Sequence, residues 1–246
     1  MVASAANAWP QRGNRMNFVL EFYNYRIVEQ YLGRFAEGLE NTLVAAAVSL
    51  IAAVILGTAL ALCRMSSRAI LWRPVAGYVA FIMATPLLVQ IYLIYYGLPI
   101  LVPETGRWSE MTLGIMALSL HNAAYISEIV RGGIASVSRG QIEGGKAVGM
   151  TYLQRLRYIV LPQAFANTLP PLLGQTAVLI KDTSLLSIIA VFDFLSAGLL
   201  LNSERVRPNE SFLTIAAGYL AIYAVMMGLS WIVKRWLAGP EWNGGK

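Results

Sequence analysis

Polar side chains that interrupt long apolar stretches are the residues of this sequence that could do chemistry. They carry amide, imidazole, hydroxyl, carboxylate or ammonium groups, and in chain order they are Gln90, His121, Asn122, Tyr125, Glu128, Asn167, Gln175, Lys181, Asp182, Thr183 and Ser184. A polar group inside a membrane is expensive and is a functional candidate by default. The chemistry these residues offer is the binding of a polar solute along a path through a membrane.

Bond-making chemistry has little support in the residue types present. The chain has one cysteine, Cys63, within an apolar run, and one histidine, His121. A disulfide framework, a thiolate metal site and a zinc site are therefore not expected. A membrane-embedded enzyme would need a nucleophile–base pair or a metal cluster, and one histidine and one cysteine in separate helices supply neither.

Three of the polar residues share one helix face. His121, Tyr125 and Glu128 are three and four residues apart, so they lie together on one side of a helix. That face points either into a translocation path or to an interface between subunits. Two blander interpretations stay open: His121 is a packing residue, and Glu128 pairs with Arg131 or another basic residue.

His121 offers a direct test of the path interpretation. A histidine lining the path titrates near neutral pH and would make transport pH-sensitive. His121→Asn would then change solute preference or the pH profile without abolishing assembly. Unchanged transport across pH 5 to 8 would remove His121 from the candidates.

The elements that position these residues are predicted to be membrane-spanning helices. Of the 246 residues, 57% are hydrophobic and 13% are charged, a charged fraction well below that of soluble domains. A span needs about 20 mostly apolar residues. The sequence predicts an all-α polytopic protein with about five transmembrane helices, over residues 39–63, 75–100, 111–130, 163–182 and 212–233. The apolar segment 184–201 is too interrupted to be a full span.

The basic residues set the predicted orientation. The net charge is +6, but the Lys and Arg residues form no stripe with interleaved aromatics, so nucleic acid is not an expected partner. They concentrate instead in the loops after the first, third and fifth spans, which are predicted to be cytoplasmic. The N-terminus is therefore expected outside and the C-terminus in the cytoplasm. The spans between them are expected to contact the lipid bilayer.

The longest predicted cytoplasmic segment, residues 131–162, has helical patterning of its own. Residues 141–148 can form a two-turn helix that ends at Gly149, a residue suited to the left-handed conformation of a helix C-terminus. Residues 153–161 alternate basic and apolar positions, and Pro162 restarts a helix in its first turn. A short projecting helix of this kind is either a docking element or an amphipathic helix on the lipid headgroups.

The same segment carries a family resemblance. Glu143, Gly149, Ile159, Leu161 and Pro162 match the spacing of the signature loop of permeases in bacterial ABC importers. Other short motifs resemble the polar amino-acid branch of that family, the histidine/glutamine/arginine-type permeases, over about residues 36–235. They are Gly38 with Thr42-Leu43, Thr85-Pro86 to Gln90, Ala124 to Ile134, Pro162-Gln-Ala and Lys181 to Leu185.

The resemblance implies a type I ABC importer permease fold in a bacterial cytoplasmic (inner) membrane. It implies a second permease, either the same chain or a sister subunit, cytoplasmic ABC ATPase subunits, and an extracytoplasmic solute-binding protein. The solute would be a polar amino acid or a derivative of one. The resemblance assigns contact with the ATPase to Gly140, Gln141, Glu143, Gly144, Gly145, Ala147, Gly149, Leu161 and Pro162. It also places Lys181 and Asp182 near an extracytoplasmic gate, where the two either neutralise one another or engage different partners.

ATP hydrolysis is expected on the partner. The sequence has no G-x-x-x-x-G-K-[ST] phosphate loop, so ATP and Mg²⁺ would bind the ATPase and no cofactor would bind this chain. Gly149→Asp is predicted to leave the helices inserted but to uncouple ATP hydrolysis from uptake. The alternative is an ion-coupled secondary transporter or a channel, but neither an inverted repeat nor a charged ring within one helix is visible.

Two pairs of residues depart from the family pattern. Gly144 and Gly145 stand where alanines are usual, and each Gly costs about 1 kcal/mol of helix propensity relative to Ala. The short helix is therefore expected to be marginal alone and ordered mainly by its partner. Met83-Ala84 precedes Thr85 where the family usually has Arg-Gly, which puts in doubt any role assigned to that arginine.

Three regions are predicted along the chain. Residues 1–35 form an extracytoplasmic extension, with residues 1–15 disordered and Met16 a plausible true start in place of Met1. Residues 36–236 form the transmembrane permease domain with its cytoplasmic loop 131–162. Residues 237–246 form a cytoplasmic tail.

Overall fold

A computed structural model of the chain describes residues 22–238. The predictions for residues 1–15, for Met16 as the start and for the tail beyond residue 238 lie outside these residues. The described part is helical and contains no β-strand, which confirms the all-α fold class. Its helices are α1 (Tyr25–Gln30), α2 (Leu32–Arg64), α3 (Ala69–Ala84), α4 (Leu87–Leu101), α5 (Glu110–Ala135), α6 (Arg139–Ala147), α7 (Tyr152–Ile189), α8 (Phe194–Arg205) and α9 (Pro208–Ala238).

About five spans are present, as predicted. In residues 22–238, four helices are long and apolar enough to cross a membrane, namely α2, α5, α7 and α9. A fifth span results if α3 and α4 are taken as one, although they meet at an angle of 113°. These criteria are length and composition, and they agree with the predicted number.

The predicted second span, 75–100, is broken in the middle. Thr85 and Pro86 both have extended backbone, with ψ of 145° and 136°. A residue before proline is pushed out of the helical region by the proline ring, which ends α3 at Ala84. Apolar composition runs through the break and gave no sign of it.

The predicted broken segment, 184–201, is confirmed as not being a span. The end of α7 tightens into a 3₁₀ helix over Thr183–Ile189, and Ala190 then turns the chain in a left-handed conformation with φ of 65°. Asp193 caps the start of α8. Segment 184–201 is therefore a helix end, a turn and part of a second helix.

Helix α5 is the centre of the bundle. Of its most apolar window 61% is buried, against 6% for the corresponding window of α9. The seam between α2 and α5 contains small residues, since Ala53 and Ala123 form a buried cluster with Ile126. Close approach over small residues is the usual basis of helix association in membranes. Helix α9 instead turns large side chains such as Leu220 and Val225 outward.

Candidate functional site

Helix α6 and the start of α7, in the segment predicted to be cytoplasmic, form a helical hairpin that is closed by Gly149. Helix α6 ends at Ala147, and Gly149 has φ of +78°, the left-handed conformation predicted for it. Its N–H donates to the Lys146 carbonyl and the N–H of Met150 donates to the Gly145 carbonyl, each at 3.0 Å. These two bonds define a Schellman motif, which satisfies carbonyls that the helix end would otherwise leave free.

Helix α7 begins directly after this turn. Thr151 caps it, accepting from the Gln154 N–H at 3.3 Å while the Gln154 side chain accepts from the Thr151 N–H at 2.8 Å. Helix α7 then runs without interruption through a π-helical turn, Leu156–Val160, so Pro162 does not restart a separate helix. A π turn locally changes the hydrogen-bonding pattern, so the helix can continue although proline has no N–H to donate.

Contacts within the chain hold α6 against the start of α7. The side chains of Gln141 and Gln163 are hydrogen-bonded, and the Arg155 guanidinium donates to the Met150 carbonyl. Gly145 packs so closely on Ile159 that a Cβ added to Gly145 would lie 2.8 Å from the Ile159 Cδ1 methyl. Helix α6 therefore has tethers of its own besides any that a partner supplies.

The hairpin presents apolar side chains to its surroundings. Val148 is 78% exposed, Tyr152 69% and Leu153 72%. Of the nine residues predicted to contact an ATPase, only Gly145 is buried, and the others are exposed on the hairpin or on the following turn of α7. An exposed patch of large apolar residues indicates contact with a protein or a membrane.

Gln90 bridges the break between α3 and α4. Its amide nitrogen donates to the carbonyls of Ile82 and Thr85, at 3.0 and 3.1 Å, and to the Thr85 hydroxyl at 2.8 Å. These acceptors belong to the C-terminus of α3, where carbonyls lack partners within the helix. Gln90 is buried, and it satisfies the backbone at the break.

His121 is tied to the same break. Its Nδ1 lies 2.9 Å from Gln90 Oε1, and because that oxygen can only accept, Nδ1 carries the proton. The ring is buried and packs 5.0 Å from the Tyr125 ring, as their shared helix face predicts. His121 thus joins α5 to α4, and its effect on pH dependence or solute preference stays a prediction.

Asn122 joins α5 to α7. Its side chain is fully buried, donates to the Leu118 carbonyl at 2.9 Å, and accepts from Gln175 Nε2 at 2.9 Å. Asn167, two turns earlier on α7, donates to the Ser136 hydroxyl at 2.8 Å. The amides predicted as intramembrane candidates therefore hold helices together.

Glu128 has two arginine partners. Arg131 donates to its Oε2 from Nη2 at 2.7 Å and from Nε at 3.1 Å, and Arg64 of α2 donates to its Oε1. The interpretation that Glu128 pairs with Arg131 is what the structure shows. Sequence reasoning treated Arg64 only as the charge that ends the first span, since no pattern links residues 64 positions apart.

The end of α7 holds the remaining candidates. No ion pair in the described part of the chain joins Lys181 to Asp182, and the Lys181 ammonium lies 5.5 Å from the centre of the Tyr223 ring on α9. Thr183 is buried and donates to the Ile180 carbonyl at 2.7 Å, and Ser184 offers its carbonyl to Ser187. These residues share no hydrogen bond or ion pair with Gln90, His121 or Glu128.

The structure gives Gly38 and Thr42 a specific role that the motif alone did not. An added Cβ on Gly38 would lie 2.5 Å from the Asp193 carbonyl oxygen, and the Thr42 hydroxyl accepts from the Phe194 N–H at 3.0 Å. Both residues therefore contact the turn that starts α8. Asp193 caps that helix by accepting from the Ser196 N–H at 2.8 Å. The sequence analysis missed this residue, although an Asp at the start of an apolar run and three residues before a Ser is a helix N-cap signal.

Residues 49–239 match the family described as "Binding-protein-dependent transport system inner membrane component". The chain belongs to this family. It is the membrane-spanning permease subunit of an ABC importer, and the resemblance seen in its motifs is confirmed. A permease of this kind works with ATP-hydrolysing subunits and a solute-binding protein.

Relatives cover nearly the whole permease. The nopaline transport system permease protein NocM of Agrobacterium fabrum is 38% identical over 218 residues, which are 86% of this chain and 90% of NocM. The probable amino-acid permease protein YxeN of Bacillus subtilis is 37% identical, covering 83% of this chain and 91% of YxeN. A chain of the crystal structure of an amino acid ABC transporter with histidines superposes with a TM-score of 0.78 at 32% identity, covering 85% of this permease and 96% of that chain.

Proposed function

We propose that this permease imports a polar amino acid or an amino-acid-derived solute into the cytoplasm of a bacterial cell. It does so across the cytoplasmic membrane, with its N-terminus outside and its C-terminus inside. The proposal of this cargo is supported by relatives whose names refer to nopaline and to amino acids, and by a similar structure of an amino acid transporter. ATP hydrolysis takes place on a partner subunit, where ATP and Mg²⁺ bind.

The hairpin around Gly149 is the observation that carries the mechanism. It combines the family motif with a fixed turn and exposed apolar side chains, so its partner is a protein groove in preference to lipid headgroups. The partner is the ATPase subunit, and its closure on ATP moves α6. Movement of α6 changes the relative stability of outward- and inward-facing states, which is the content of alternating access.

The solute passes along one face of α7. Five exposed positions on this helix recur at helical spacing, and they are Asn167, Pro171, Gly174, Val178 and Lys181. Of these five, Asn167 and Lys181 are polar and Gly174 is small, and such residues on a membrane helix face are less suited to lipid than to a polar cavity or to a second permease across it. Gln175, Asp182 and Ser184 flank this face and are partly buried, and Asn122 contacts it from α5 through Gln175. The other candidates, Gln90, His121 and Tyr125, lie on the side of α5 that faces α3 and α4, and Thr183 is buried at the end of α7.

Co-purification followed by reconstitution tests the proposal. The permease, isolated from its own membrane, should bring down an ATPase subunit and a second permease, and the complex in proteoliposomes should take up labelled histidine, glutamine or arginine when the binding protein and ATP are present. Gly149→Asp should keep the complex assembled and its ATPase active but lose uptake. Uptake that follows an ion gradient without ATP would show a secondary transporter instead.

The purified permease alone should hydrolyse no ATP, because its sequence carries no phosphate loop of the usual kind. Uptake of a sugar or an inorganic ion in place of every amino acid tested would overturn the cargo but leave the family assignment intact. Orientation is checked separately by labelling single cysteines on the α6 hairpin from outside intact cells, where no reaction is expected.

A further inference from the structure

One carboxylate links the cytoplasmic ends of α2 and α5. Each oxygen of Glu128 is held by a different arginine, Oε1 by Arg64 from α2 and Oε2 by Arg131 from α5 itself. The Glu128 and Arg64 side chains are 24% and 25% exposed, so the pair is shielded but reachable by water. Such a pair is strong enough to bias a conformation and is not locked in by complete burial.

The two sides of α5 are fastened differently at this end. Toward α7 the fastening is steric: Gly133 leaves no room for a Cβ beside Thr168, and such an atom would lie 3.0 Å from the Ala164 carbonyl oxygen. The Ser136–Asn167 hydrogen bond lies on the same side. The end of α5, the hairpin and the start of α7 are therefore packed as one unit.

Toward α2 the close packing lies higher up. A Cβ on Gly57 would be 2.8 Å from the Ala123 carbonyl oxygen and 2.9 Å from Ile126 Cβ. Gly57 and Arg64 are two helical turns apart, roughly 10 Å along the axis. Leu60, one turn below Gly57, still packs with Val130 against the cluster of Ala53, Ala123 and Ile126, and Ala61 is fully buried. Beyond these residues, at the end of α2, Arg64 is joined to α5 by the salt bridge, which can open while the seam above it stays packed.

The salt bridge can also open without leaving the Glu128 carboxylate unpaired. Arg131 sits one turn from Glu128 on the same helix and stays beside it however α2 moves. A carboxylate left unpaired in a shielded place would make separation costly, and the second arginine removes that cost. The arrangement suits a contact that forms and breaks repeatedly.

We propose that Arg64 and Glu128 form a latch of the transport cycle. The latch is closed in this structure, holds the α6 hairpin unit against the end of α2, and opens when the ATPase moves the hairpin. Arg64 and Glu128 are positioning residues, and neither needs to touch the solute. The inference rests on the proposed function, because the hairpin moves α5 only if an ATPase moves the hairpin.

The test measures solute imported per ATP hydrolysed by the complete complex in proteoliposomes, with ATPase activity also recorded without the binding protein. Glu128→Gln and Arg64→Gln should each raise ATP hydrolysis without binding protein and lower solute per ATP, by roughly fivefold or more, the usual lower range of a coupling between sites. The exchanged variant is the triple R64E/E128R/R131E, which reverses every charge of the cluster and keeps both pairings, and it should recover the wild-type ratio to within roughly twofold. Arg131→Gln should have a smaller effect than either.

Arg34→Gln is the matched control. Arg34 forms an i,i+3 pair with Glu37 near the opposite end of α2, and both side chains are about half exposed, so the variant loses an ion pair but no latch. Its solute-to-ATP ratio should equal that of wild type. Wild-type ratios in both single variants, or an exchanged variant as uncoupled as the singles in an assembled complex, would overturn the latch.

Two other outcomes are also decisive. If Glu128→Gln does not assemble, two other variants decide: Arg64→Lys, which keeps the charge, and the exchanged variant. The latch is wrong if Arg64→Lys couples ATP hydrolysis to uptake and the exchanged variant does not. If the wild-type complex shows no ATP-dependent uptake, the proposed function fails. ATPase activity without binding protein then still reports whether the Arg64–Glu128 contact restrains the hairpin.

Discussion

The α6 hairpin and the buried face of α5 differ in which side chains they expose and which they bury. The hairpin exposes large apolar residues such as Val148 and Leu153. Its polar side chains form helix caps and hydrogen bonds between α6 and α7. Helix α5 buries polar residues such as His121 and Asn122 and gives each a partner on a neighbouring helix. The polar groups of α5 are thus satisfied within the chain, whereas the apolar side chains of the hairpin are left exposed, as the proposed contact with an ATPase requires.

The difference shows where each region obtains its stability. Polar groups at membrane depth must be satisfied within the protein, so α5 fixes α4 and α7 around it. The hairpin has few buried contacts and a short helix, and such helices are marginal alone. The middle of α5 therefore draws its stability from neighbouring helices, and the hairpin draws its stability mainly from its turn and from the start of α7.

The largest effect is expected where α5 is packed most tightly. Gly57→Leu places a side chain against the Ala123 carbonyl, a backbone atom that cannot rotate away. Overpacking of this kind costs about 3 kcal/mol or more. Thermal unfolding in detergent should show a lower midpoint and a smaller yield of assembled complex. Gly77→Leu, on an exposed face of α3 with no heavy atom within 4 Å of an added Cβ, is the control, and an equal loss there would show that the seam is not special.

A smaller but more selective effect is expected at the hairpin. Gly149→Val forces a β-branched residue into φ of +78°, which costs about 1–2 kcal/mol. The helices should unfold at the wild-type temperature while ATP-driven uptake falls by about tenfold, the rate equivalent of 1.4 kcal/mol.

Gly149→Asn separates backbone strain from other effects at this position. Asn tolerates the left-handed conformation better than other residues with a side chain, so uptake should stay close to wild type. Equal losses in the Val and Asn variants would show that the hairpin needs the absence of a side chain, and not the turn.

His121→Asn probes a single polar link of α5. The hydrogen bond to Gln90 is one of several contacts across α4 and α5, and such bonds in membranes contribute about 0.6–1 kcal/mol. Assembly should persist, with uptake or solute preference changed by a few fold. Initial uptake rates measured between pH 5 and 8 check whether the imidazole titrates during transport. Identical profiles in variant and wild type would leave His121 as a purely structural residue.

The smallest effect is expected from filling the hairpin helix. Gly144→Ala meets no atom within 4 Å and should gain up to about 1 kcal/mol of helix propensity. Hydrogen exchange of residues 139–148 in the permease without its ATPase should slow. Gly145→Ala gains the same propensity but must displace Ile159 and Arg155, so its exchange should slow less or quicken. Faster exchange in Gly144→Ala would contradict the view that helix propensity limits α6.

Local patterns predicted several features correctly. Five apolar stretches predicted the spans, because a bilayer requires a fixed length of apolar helix. The left-handed turn at Gly149 was predictable because few other residues adopt that conformation without strain. The extended residue before Pro86 was also a local signal, but it was outweighed by the apolar run around it and the break was missed.

Contacts between distant residues could not be predicted. Periodicity placed His121 and Tyr125 on one face, yet it gave no means of knowing that Gln90 would face them. Arg64 and Arg131 were equally available to Glu128 by charge, and one lies on another helix. Sequence spacing constrains neighbours within a turn or two, whereas these partners depend on how whole helices cross.

By itself, the sequence determined that this chain spans a membrane, roughly where its five apolar spans lie, and that residues 140–162 carry the signature of an importer's permease. Composition and short motifs suffice for that, because bilayer thickness and helix-end geometry act locally. Only the tertiary structure decided that the intramembrane amides join helices, that Glu128 links α2 to α5, and that one face of α7, from Asn167 to Lys181, is left exposed. Those outcomes depend on which helix faces meet, and close packing at residues such as Gly57 and Gly133 selects them.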